Sequence, residues 1–451
     1  MNKTVALEEI DYRPDGAELF ATIVDLPGAA FLDSSQPHSQ RGRYDIICAQ
    51  PEPAPAAPQA AASTAQWRAW FSALAEFHSE RYREVHTASA DIPFCGGLLG
   101  VLDYDTGNAL HGIGSPPAQT GGAPSPSVGA YDWAVVQDHL LQRATLVFQP
   151  DVPVQRRGDI RRRLQSAPRP AGSFSLLEPF RSNFSEDAYR TAFAAISDYI
   201  QAGDCYQINL AQRFQAPCQG DPWAAYLLLR EAAAAPWSAY LAAAPGEALL
   251  SLSPERFIAV HGSHVQTAPI KGTRPRDSDP ERDQRNAQEL RRSVKDRAEN
   301  LMIVDLLRND LGRNCLPGSI HVDALFEVQS FPTVHHLVSS ISGELLPGRS
   351  AFDLLRDAFP GGSITGAPKR RAMEIIAELE PDSREAYCGS VFYVSADGRM
   401  DSNIAIRTLL CSGGEIRCWG GGGIVADSVC EAEYQETFDK VGRFLRVLED
   451  M

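Results

Sequence analysis

The chain has 451 residues, in which 57 acidic side chains outnumber 42 basic ones and give a formal net charge of −15. Hydrophobic residues make up 44% and charged residues 22% of the chain, which is ordinary for a globular protein and excludes disorder as the main state. Nucleic acids and acidic membrane surfaces attract basic proteins, so the negative charge argues against both as principal partners. A small anion held in a locally positive pocket is still compatible with this charge.

The sequence shows no evident targeting signal, and this and its cysteine pattern both favour a cytoplasmic protein. No apolar run reaches the ~18 residues that a membrane span requires, and the nearest one, residues 232–244, is interrupted by Pro236. The N-terminus places Glu8, Glu9 and Asp11 where a secretory or transit signal would be apolar or basic. The nine cysteines form no C-x-x-C pair and no metal-type spacing, so we expect them to be reduced thiols.

Three segments rich in proline, alanine, glycine and serine punctuate the chain, at residues 50–65, 115–128 and 166–174. The last one predicts the boundary between an N-terminal region, residues 1–175, and a C-terminal region, residues 180–451. Short β-leaning runs precede this boundary, and helical patterns alternate with apolar strand runs after it. The predicted strands after the boundary include residues 249–252, 257–260, 389–394 and 404–410. This pattern indicates mixed α and β structure with sizeable sheets, without the regular alternation of a doubly wound fold.

Two candidate catalytic side chains come first in the C-terminal region. Glu255 follows the strand run 249–252 within the segment SPERF, where a carboxylate is by default a turn acid. Lys271 lies in PIKGTRP, where prolines and a glycine stiffen the backbone around a side chain that is by default a surface lysine. Neither residue indicates a function by itself, and both interpretations stay open at this point.

A first pair of carboxylates lies on a helix predicted over residues 285–311. Asp296 and Glu299 are three residues apart and are therefore neighbours on the helix surface. Glu299 also lies one turn before a group of apolar residues, where a carboxylate without a partner is costly.

A second pair lies on the C-terminal helix, which is predicted to start with a capping box formed by Ser428 and Glu431. Glu433, Glu436 and Lys440 share one face of this helix. Alone, they would form a solvated face with an exposed ion pair of little energetic value. If the two acidic pairs meet, their oxygen ligands would suit a hard cation such as Mg²⁺.

Two glycine-rich segments expose backbone N–H groups that suit an anion. Residues 361–369, GGSITGAPK, precede a helix predicted at 370–379, and form either an anion seat or a tight structural turn. They are not a Walker A loop, because Ala-Pro follows the last glycine. The second segment, residues 420–423, ends a strand. Nearby, Arg407 lies inside a strand pattern and requires a partner, whereas His336 is by default a structural histidine.

Taken together, eight ordered motifs of the C-terminal region resemble the chorismate-utilising enzyme family. They are GDCYQINLAQRF (203–214), SLSPERF (251–257), PIKGT (269–273), KDRAENLMIVDLLRNDLGR (295–313), HHLVS (335–339), FPGGSITGAPKRRAMEIIAELEP (359–381), AIRTL (405–409) and GGGIVADS with EYQETFDK (421–440). The resemblance covers residues 180–451 without large gaps. It extends more weakly to RYDIICAQP (43–51), PFCGGLLGVLDYD (93–105) and YDW (131–133).

The resemblance implies an α/β (α+β) fold in which two large antiparallel sheets form a sandwich with outer helices, and the site lies in a cleft. The implied substrate is chorismate, an enolpyruvyl ether that carries two carboxylates. Mg²⁺ bound by Glu299 and Glu436, with Asp296 and Glu433 beside them, would hold the ring carboxylate.

Arg407 and the N–H groups of the second glycine segment would bind the enolpyruvyl carboxylate, and His336 would lie by the ring. The full set of residues implied to contact the substrate is Thr273, His336, Thr365, Gly366, Arg407, Gly421, Gly422, Gly423 and Lys440.

Two positions predict the branch of the family. Members that add water resemble one another in having a lysine base where this chain has Gln207, so hydration is disfavoured. Anthranilate-forming members typically read P-I-A-G-T where this chain has Lys271. The resemblance implies that Lys271 attacks ring carbon 2 while Glu255 protonates the departing hydroxyl at carbon 4. Ammonia then displaces the lysine and gives 4-amino-4-deoxychorismate, toward 4-aminobenzoate and folate, with anthranilate formation as the alternative.

The ammonia source and a regulatory ligand are also implied. No amidotransferase constellation surrounds any of the nine cysteines, which predicts a separate glutamine amidotransferase subunit as partner. Some members of the family hold tryptophan near a short strand that ends in an acidic residue and serine. Leu32-Asp33-Ser34 resembles that element, which makes Ser34 a candidate for such a pocket.

Overall fold

Apolar strand runs from both ends of the chain assemble into two large antiparallel sheets. The computed structural model describes residues 3–39, 42–59, 61–87, 91–116, 127–331 and 334–451. Its helices are α1 (Gly16–Phe20), α2 (Thr64–Tyr82), α3 (Tyr104–His111), α4 (Val154–Leu164), α5 (Glu186–Gln201), α6 (Pro222–Ala233), α7 (Pro280–Arg292), α8 (Val294–Gly312), α9 (Ala351–Ala358), α10 (Lys369–Leu379) and α11 (Cys430–Glu449).

The strands are given by sheet, in spatial order. The larger sheet contains β11 (Phe174–Leu176), β13 (Gln207–Gly220), β25 (Glu415–Ile424), β24 (Thr408–Ser412), β15 (Glu247–Ser253), β14 (Trp237–Ala244), β3 (Ala30–Asp33), β4 (Tyr44–Cys48), β9 (Trp133–Asp138), β10 (Arg143–Phe148) and β2 (Ala6–Ile10), with β12 (Arg181–Ser182) and β21 (Gly366–Ala367) paired to β13. The smaller sheet contains β18 (Ile270–Pro275), β20 (Val334–Glu344), β17 (His264–Thr267), β16 (Arg256–His261), β23 (Met400–Asn403), β22 (Ser390–Ser395), β7 (Gly97–Leu102), β8 (Ser127–Tyr131) and β5 (Glu52–Pro53), with β19 (His321–Ser330) paired to β20. A separate parallel pair joins β1 (Lys3–Thr4) to β6 (Val85–His86).

The predicted regions 1–175 and 180–451 contribute strands to both sheets. In the larger sheet β3 pairs with β14, and in the smaller one β7 pairs with β22. Buried apolar side chains of both sheets form one core cluster with α2, α8, α9 and α10. A second cluster lies under α1, α4, α6 and α11 on the outer face of the larger sheet. The predicted fold class, two large antiparallel sheets in a sandwich with outer helices, is therefore confirmed.

A buried ion pair ties the N-terminal strands to α6. Arg230 Nε lies 2.6 Å from Asp33 Oδ2, and another guanidinium nitrogen lies 2.9 Å from Asp15. Removing one partner of a buried pair leaves the other charge uncompensated. We expect Asp33→Ala to lower the free energy of unfolding by about 3 kcal/mol, at the lower end of the range because Asp15 remains. Urea denaturation measures this, and Asp159→Ala, which breaks an exposed pair with Arg162, should cost less than about 1 kcal/mol.

The prediction of one continuous helix over residues 285–311 is wrong, because two helices, α7 and α8, occupy this part of the chain. Ser293 separates them in an extended conformation, and its hydroxyl accepts a hydrogen bond from the backbone N–H of Asp296. A serine that caps a new helix therefore interrupts an otherwise continuous helical pattern.

Two further local predictions are also wrong. Helix α11 starts without the predicted capping box, because Ser428 lies before it and donates its hydroxyl proton to Glu433 Oε1 at 2.6 Å. The strand predicted at 404–410 starts only at Thr408, since Arg407 adopts a left-handed φ of 51° that ends regular pairing. The described helices include none with the length and apolar content needed to cross a membrane.

Candidate active site

Lys271 and Glu255 both contact Ser363 of the glycine-rich segment at residues 361–369. Lys271 on β18 lies with its Nζ 3.0 Å from Glu299 Oε1 and donates a hydrogen bond to the backbone carbonyl of Ser363 at 3.1 Å. Glu255, in the turn between β15 and β16, accepts a hydrogen bond from the Ser363 hydroxyl at 3.0 Å. Ser363 thus contacts both predicted catalytic groups. It was not among the predicted site residues, although it is a hydroxyl residue within the GGSITGAP segment.

The pKa values of these two groups move in the same direction for different reasons. Burial favours the neutral amine of Lys271, but the carboxylates of Glu299 and Glu255 outweigh it, so the lysine pKa is raised. Burial raises the pKa of Glu255 to about 6, against the opposing effects of Lys271, Ser363 and Arg407. A carboxyl with this pKa can donate a proton near neutral pH.

Three carboxylates from α8 and α11 approach the second glycine segment. A Cβ at Gly422 would lie 3.1 Å from Glu433 Oε2 and 3.5 Å from Glu436 Oε1. A Cβ at Gly423 would lie 3.4 Å from Glu299 Oε1. Because Gly422 and Gly423 have no side chains, there is space beside them for α8 and α11 to bring their carboxylates together. This is the meeting of acidic helices that the spacing alone could not establish.

The charges of this acidic group are partly balanced by lysines. Lys440 Nζ lies 2.6 Å from Glu436 Oε1 and donates to the carbonyl of Gly421 at 2.7 Å. Burial raises the pKa of Glu433, and the neighbouring Glu436 adds to that rise. The pKa of Glu299 is lowered, because Lys271 and other lysines outweigh its burial.

Asp296 faces a different neighbour. Its carboxylate lies 3.1 Å from an Arg274 guanidinium nitrogen and against Gly272, where a Cβ would approach the carboxylate carbon to 2.9 Å. Among the described residues, no three histidine, cysteine, aspartate or glutamate side chains are arranged to hold a metal ion as they stand. Mg²⁺ needs only one or two carboxylates and completes its coordination with water. The oxygen ligands of Glu299 and Glu436, with Glu433 beside them, therefore fit it.

Arg407, one of the predicted substrate contacts, interacts electrostatically with Glu255. Its side chain is half-buried, burial lowers its pKa, and Glu255 opposes that change. The glycine segment lies in β25, which pairs with β13 through Ile424 but with β24 only through Cys418. Residues 419–424 thus keep one edge that no described strand pairs with, where backbone N–H groups can meet a ligand.

The remaining predicted contacts lie on the loop and on the smaller sheet. Thr273 and His336 are register partners on β18 and β20, with Thr273 Oγ1 2.8 Å from His336 Nδ1. Thr365 is buried and donates its hydroxyl proton to the Gly361 carbonyl at 3.1 Å. Gly366 packs so closely on the backbone of β13 that a Cβ would clash with a carbonyl. The segment at residues 361–369 therefore forms a tight structural turn. It also lies beside the candidate catalytic residues, which it contacts through Ser363.

Ser34 lies outside this cleft. It is buried after β3, and both its hydroxyl and its backbone N–H donate to Asp45 Oδ1, at 2.7 and 2.9 Å. Its role in a tryptophan pocket stays a prediction.

The fold agrees with the comparisons to known proteins. A family model for the chorismate binding enzyme matches residues 29–446, so the chain belongs to this family. Over 457 residues it is 45% identical to aminodeoxychorismate synthase component 1 of Salmonella typhimurium, covering 98% of each chain. The Escherichia coli protein of that name is 46% identical over 446 residues, with 97% of each chain covered. Among solved structures, anthranilate synthase component I from Streptococcus pneumoniae matches with a TM-score of 0.74 at 29% identity, covering 90% of this chain and 92% of that one.

Proposed function

We propose that this protein is the chorismate-aminating component of an aminodeoxychorismate synthase, which converts chorismate and ammonia to 4-amino-4-deoxychorismate. The observation that carries the proposal is Lys271, held 3.0 Å from Glu299 and linked through Ser363 to Glu255. Anthranilate formation needs no lysine at this position, whereas substitution at ring carbon 4 with retention uses a nucleophile that is later displaced. Relatives named for this activity are 45% and 46% identical over nearly the whole chain.

The proposed reaction has two displacement steps. The neutral amine of Lys271 forms a bond to ring carbon 2 while the two conjugated ring double bonds shift and the bond from carbon 4 to its hydroxyl breaks. Glu255 gives that hydroxyl its proton, so the leaving group is water. Ammonia then forms a bond to carbon 4, both double bonds shift back, and the bond from carbon 2 to Lys271 breaks. The enolpyruvyl group is not touched, so pyruvate release would require another enzyme.

Charge complementarity supports the proposed substrate. Chorismate is a dianion, and the cleft offers the guanidinium of Arg407, the amine of Lys440 and the unpaired strand edge at residues 419–424. When bound by Glu299 and Glu436, Mg²⁺ would attract the ring carboxylate and take up carboxylate charge that now raises the lysine pKa. Glu433 would support that site, whereas Asp296, paired with Arg274, would act from outside it.

Magnesium binding should depend on the two proposed ligands. We expect Glu299→Gln and Glu436→Gln each to weaken Mg²⁺ binding roughly tenfold or more, because each removes a charged oxygen ligand. Isothermal titration calorimetry with and without chorismate measures this effect. Glu431→Gln is the matched control, since this exposed residue of α11 pairs with Arg190 instead. Unchanged Mg²⁺ affinity in both ligand variants would contradict the proposed site.

The reaction product distinguishes the two branches of the family. The purified chain, incubated with chorismate, Mg²⁺ and ammonium, should give 4-amino-4-deoxychorismate by mass spectrometry, whereas anthranilate would overturn the proposal. A separate glutamine amidotransferase subunit is the proposed ammonia source, so glutamine alone should not replace ammonium. The cysteines of the described chain are all free thiols, which supports a reducing, cytoplasmic location.

A further inference from the structure

A cavity that lies away from the candidate active-site residues is found between the two sheets. It has a volume of about 990 Å³, and β7 and β8 form one wall while β14, β15 and β24 form the other. The apolar part includes Trp67, Leu99, Tyr131, Leu241 and Leu249. Protein interiors are normally close-packed, and a void of this size is that of a pocket for a small organic molecule. None of the candidate active-site residues lines it.

One end of the cavity is acidic. Asp103 and Asp105 lie at the start of α3, and Glu385 follows α10. The three residues are tied together, because the backbone N–H of Glu385 donates to Asp105 Oδ2 at 3.2 Å and that of Tyr104 donates to the Glu385 carbonyl at 2.8 Å. Asp103 is occupied as the cap of α3, accepting from the N–H of Thr106.

Polar atoms at this end are left without partners. Glu385 Oε1 accepts from Arg417 at 2.6 Å, but its Oε2 is buried and meets no hydrogen-bond partner among the described residues. Independently, the hydroxyl of Ser383 lines the same cavity, is buried, and has no partner in the described part of the chain. Unsatisfied buried polar atoms are costly, and a hydrogen-bonding ligand in the cavity would satisfy both of these.

The charge of the residues that line the cavity determines whether it favours a cationic, neutral or anionic ligand. The described residues that line the cavity include acids but no lysine, arginine or histidine. An anion would meet repulsion there, and a neutral donor could satisfy Glu385 Oε2 but would leave the charge of Asp105 uncompensated. Burial and the neighbouring Asp103 raise the pKa of Asp105 to about 7, a rise that a bound cation would reverse.

We propose that this cavity binds an organic ammonium ion with an apolar body, of the arylalkylamine class. The ammonium group donates to Glu385 Oε2, to the Asp105 carboxylate and to the Ser383 hydroxyl. The apolar body packs on Trp67, Leu99 and the other walls between the sheets. This site is independent of the proposed amination, so either proposal can fail without the other.

Titration of the full chain at pH 8 tests the proposal with three ligands of similar shape and different charge. We expect 2-phenylethylammonium to bind saturably and to raise the melting temperature. Its affinity should be at least tenfold above that of neutral 2-phenylethanol, and 3-phenylpropanoate should not bind. Equal binding of the amine and the alcohol, or no binding of the amine, would overturn the proposal.

Variants locate the site. Asp105→Asn and Ser383→Ala should each weaken amine binding, the former at least tenfold, while Asp305→Asn, an exposed acid of α8, should not change it. Trp67→Phe keeps the apolar wall and should remove the change in indole emission that accompanies amine binding, so it reports on the site even if one acidic variant folds poorly. Wild-type affinity in both Asp105→Asn and Ser383→Ala would place the amine elsewhere and overturn the assignment.

Discussion

Lys271→Ala is expected to reduce ammonia-dependent chorismate turnover on the order of 10³-fold, the scale of losing a positioned catalytic group. The reason is chemical, because alanine has no amine that could form the proposed bond to ring carbon 2. Chorismate and Mg²⁺ binding should be largely retained, since Glu299, Glu436 and Arg407 are unchanged. Steady-state assays with saturating ammonium, together with calorimetry of chorismate binding, measure both effects.

A second variant separates charge from nucleophilicity. Lys271→Arg keeps a positive charge beside Glu299, but a guanidinium stays protonated and does not attack carbon. If Lys271 is the nucleophile, the arginine variant should be as slow as the alanine variant. If the residue acts only by its charge, arginine should restore much of the rate and the covalent role is lost. Lys3→Ala, which breaks an exposed pair with Asp151, is the matched control and should be unaffected.

The proposed catalytic residues could be selected from the sequence because they lie in ordered motifs. Lys271 and Glu255 are by default a surface lysine and a turn acid, and only the family resemblance assigned them a role. What the sequence could not supply was their distance: Ser363, which connects them, is 92 residues from Lys271. Contacts over such a separation depend on how β18 and the glycine loop pack, and no local pattern encodes that.

The differences between the predicted and observed structure have separate physical causes. Helix periodicity continues through Ser293, yet a serine hydroxyl that caps the next helix ends α7 there. The apolar residues around Arg407 predict a strand, yet the left-handed φ of Arg407 turns the backbone before β24 begins. Asp296 and Glu299 are equivalent by their spacing on the helix, but Asp296 pairs with Arg274 and Glu299 pairs with Lys271. Only in this last case do side-chain partners on a distant strand, β18, distinguish residues that the local pattern makes equivalent.

Proton donation by Glu255 predicts a specific pH dependence. Its pKa of about 6 means that the acid form is present below that pH and falls above it, to roughly 1% at two pH units higher. The neutral fraction of Lys271 rises with pH and offsets this loss in the rate itself, so the comparison needs a variant that shares the lysine. Glu255→Gln should lose about 10²-fold or more at low pH. The ratio of wild-type to Glu255→Gln kcat/KM for chorismate, in which free ammonia and the lysine cancel, should decline as pH rises through about 6.

Ser363→Ala provides the sharper test of the same residue. The serine hydroxyl donates to Glu255 and stabilises its carboxylate, so its removal should raise the pKa of Glu255 and extend activity to higher pH. The contact of Lys271 is to the Ser363 backbone carbonyl, which alanine retains. The ratio of variant to wild-type rate, in which free ammonia cancels, should thus increase with pH. A flat or falling ratio would mean that protonated Glu255 is not the group that assists departure of the hydroxyl.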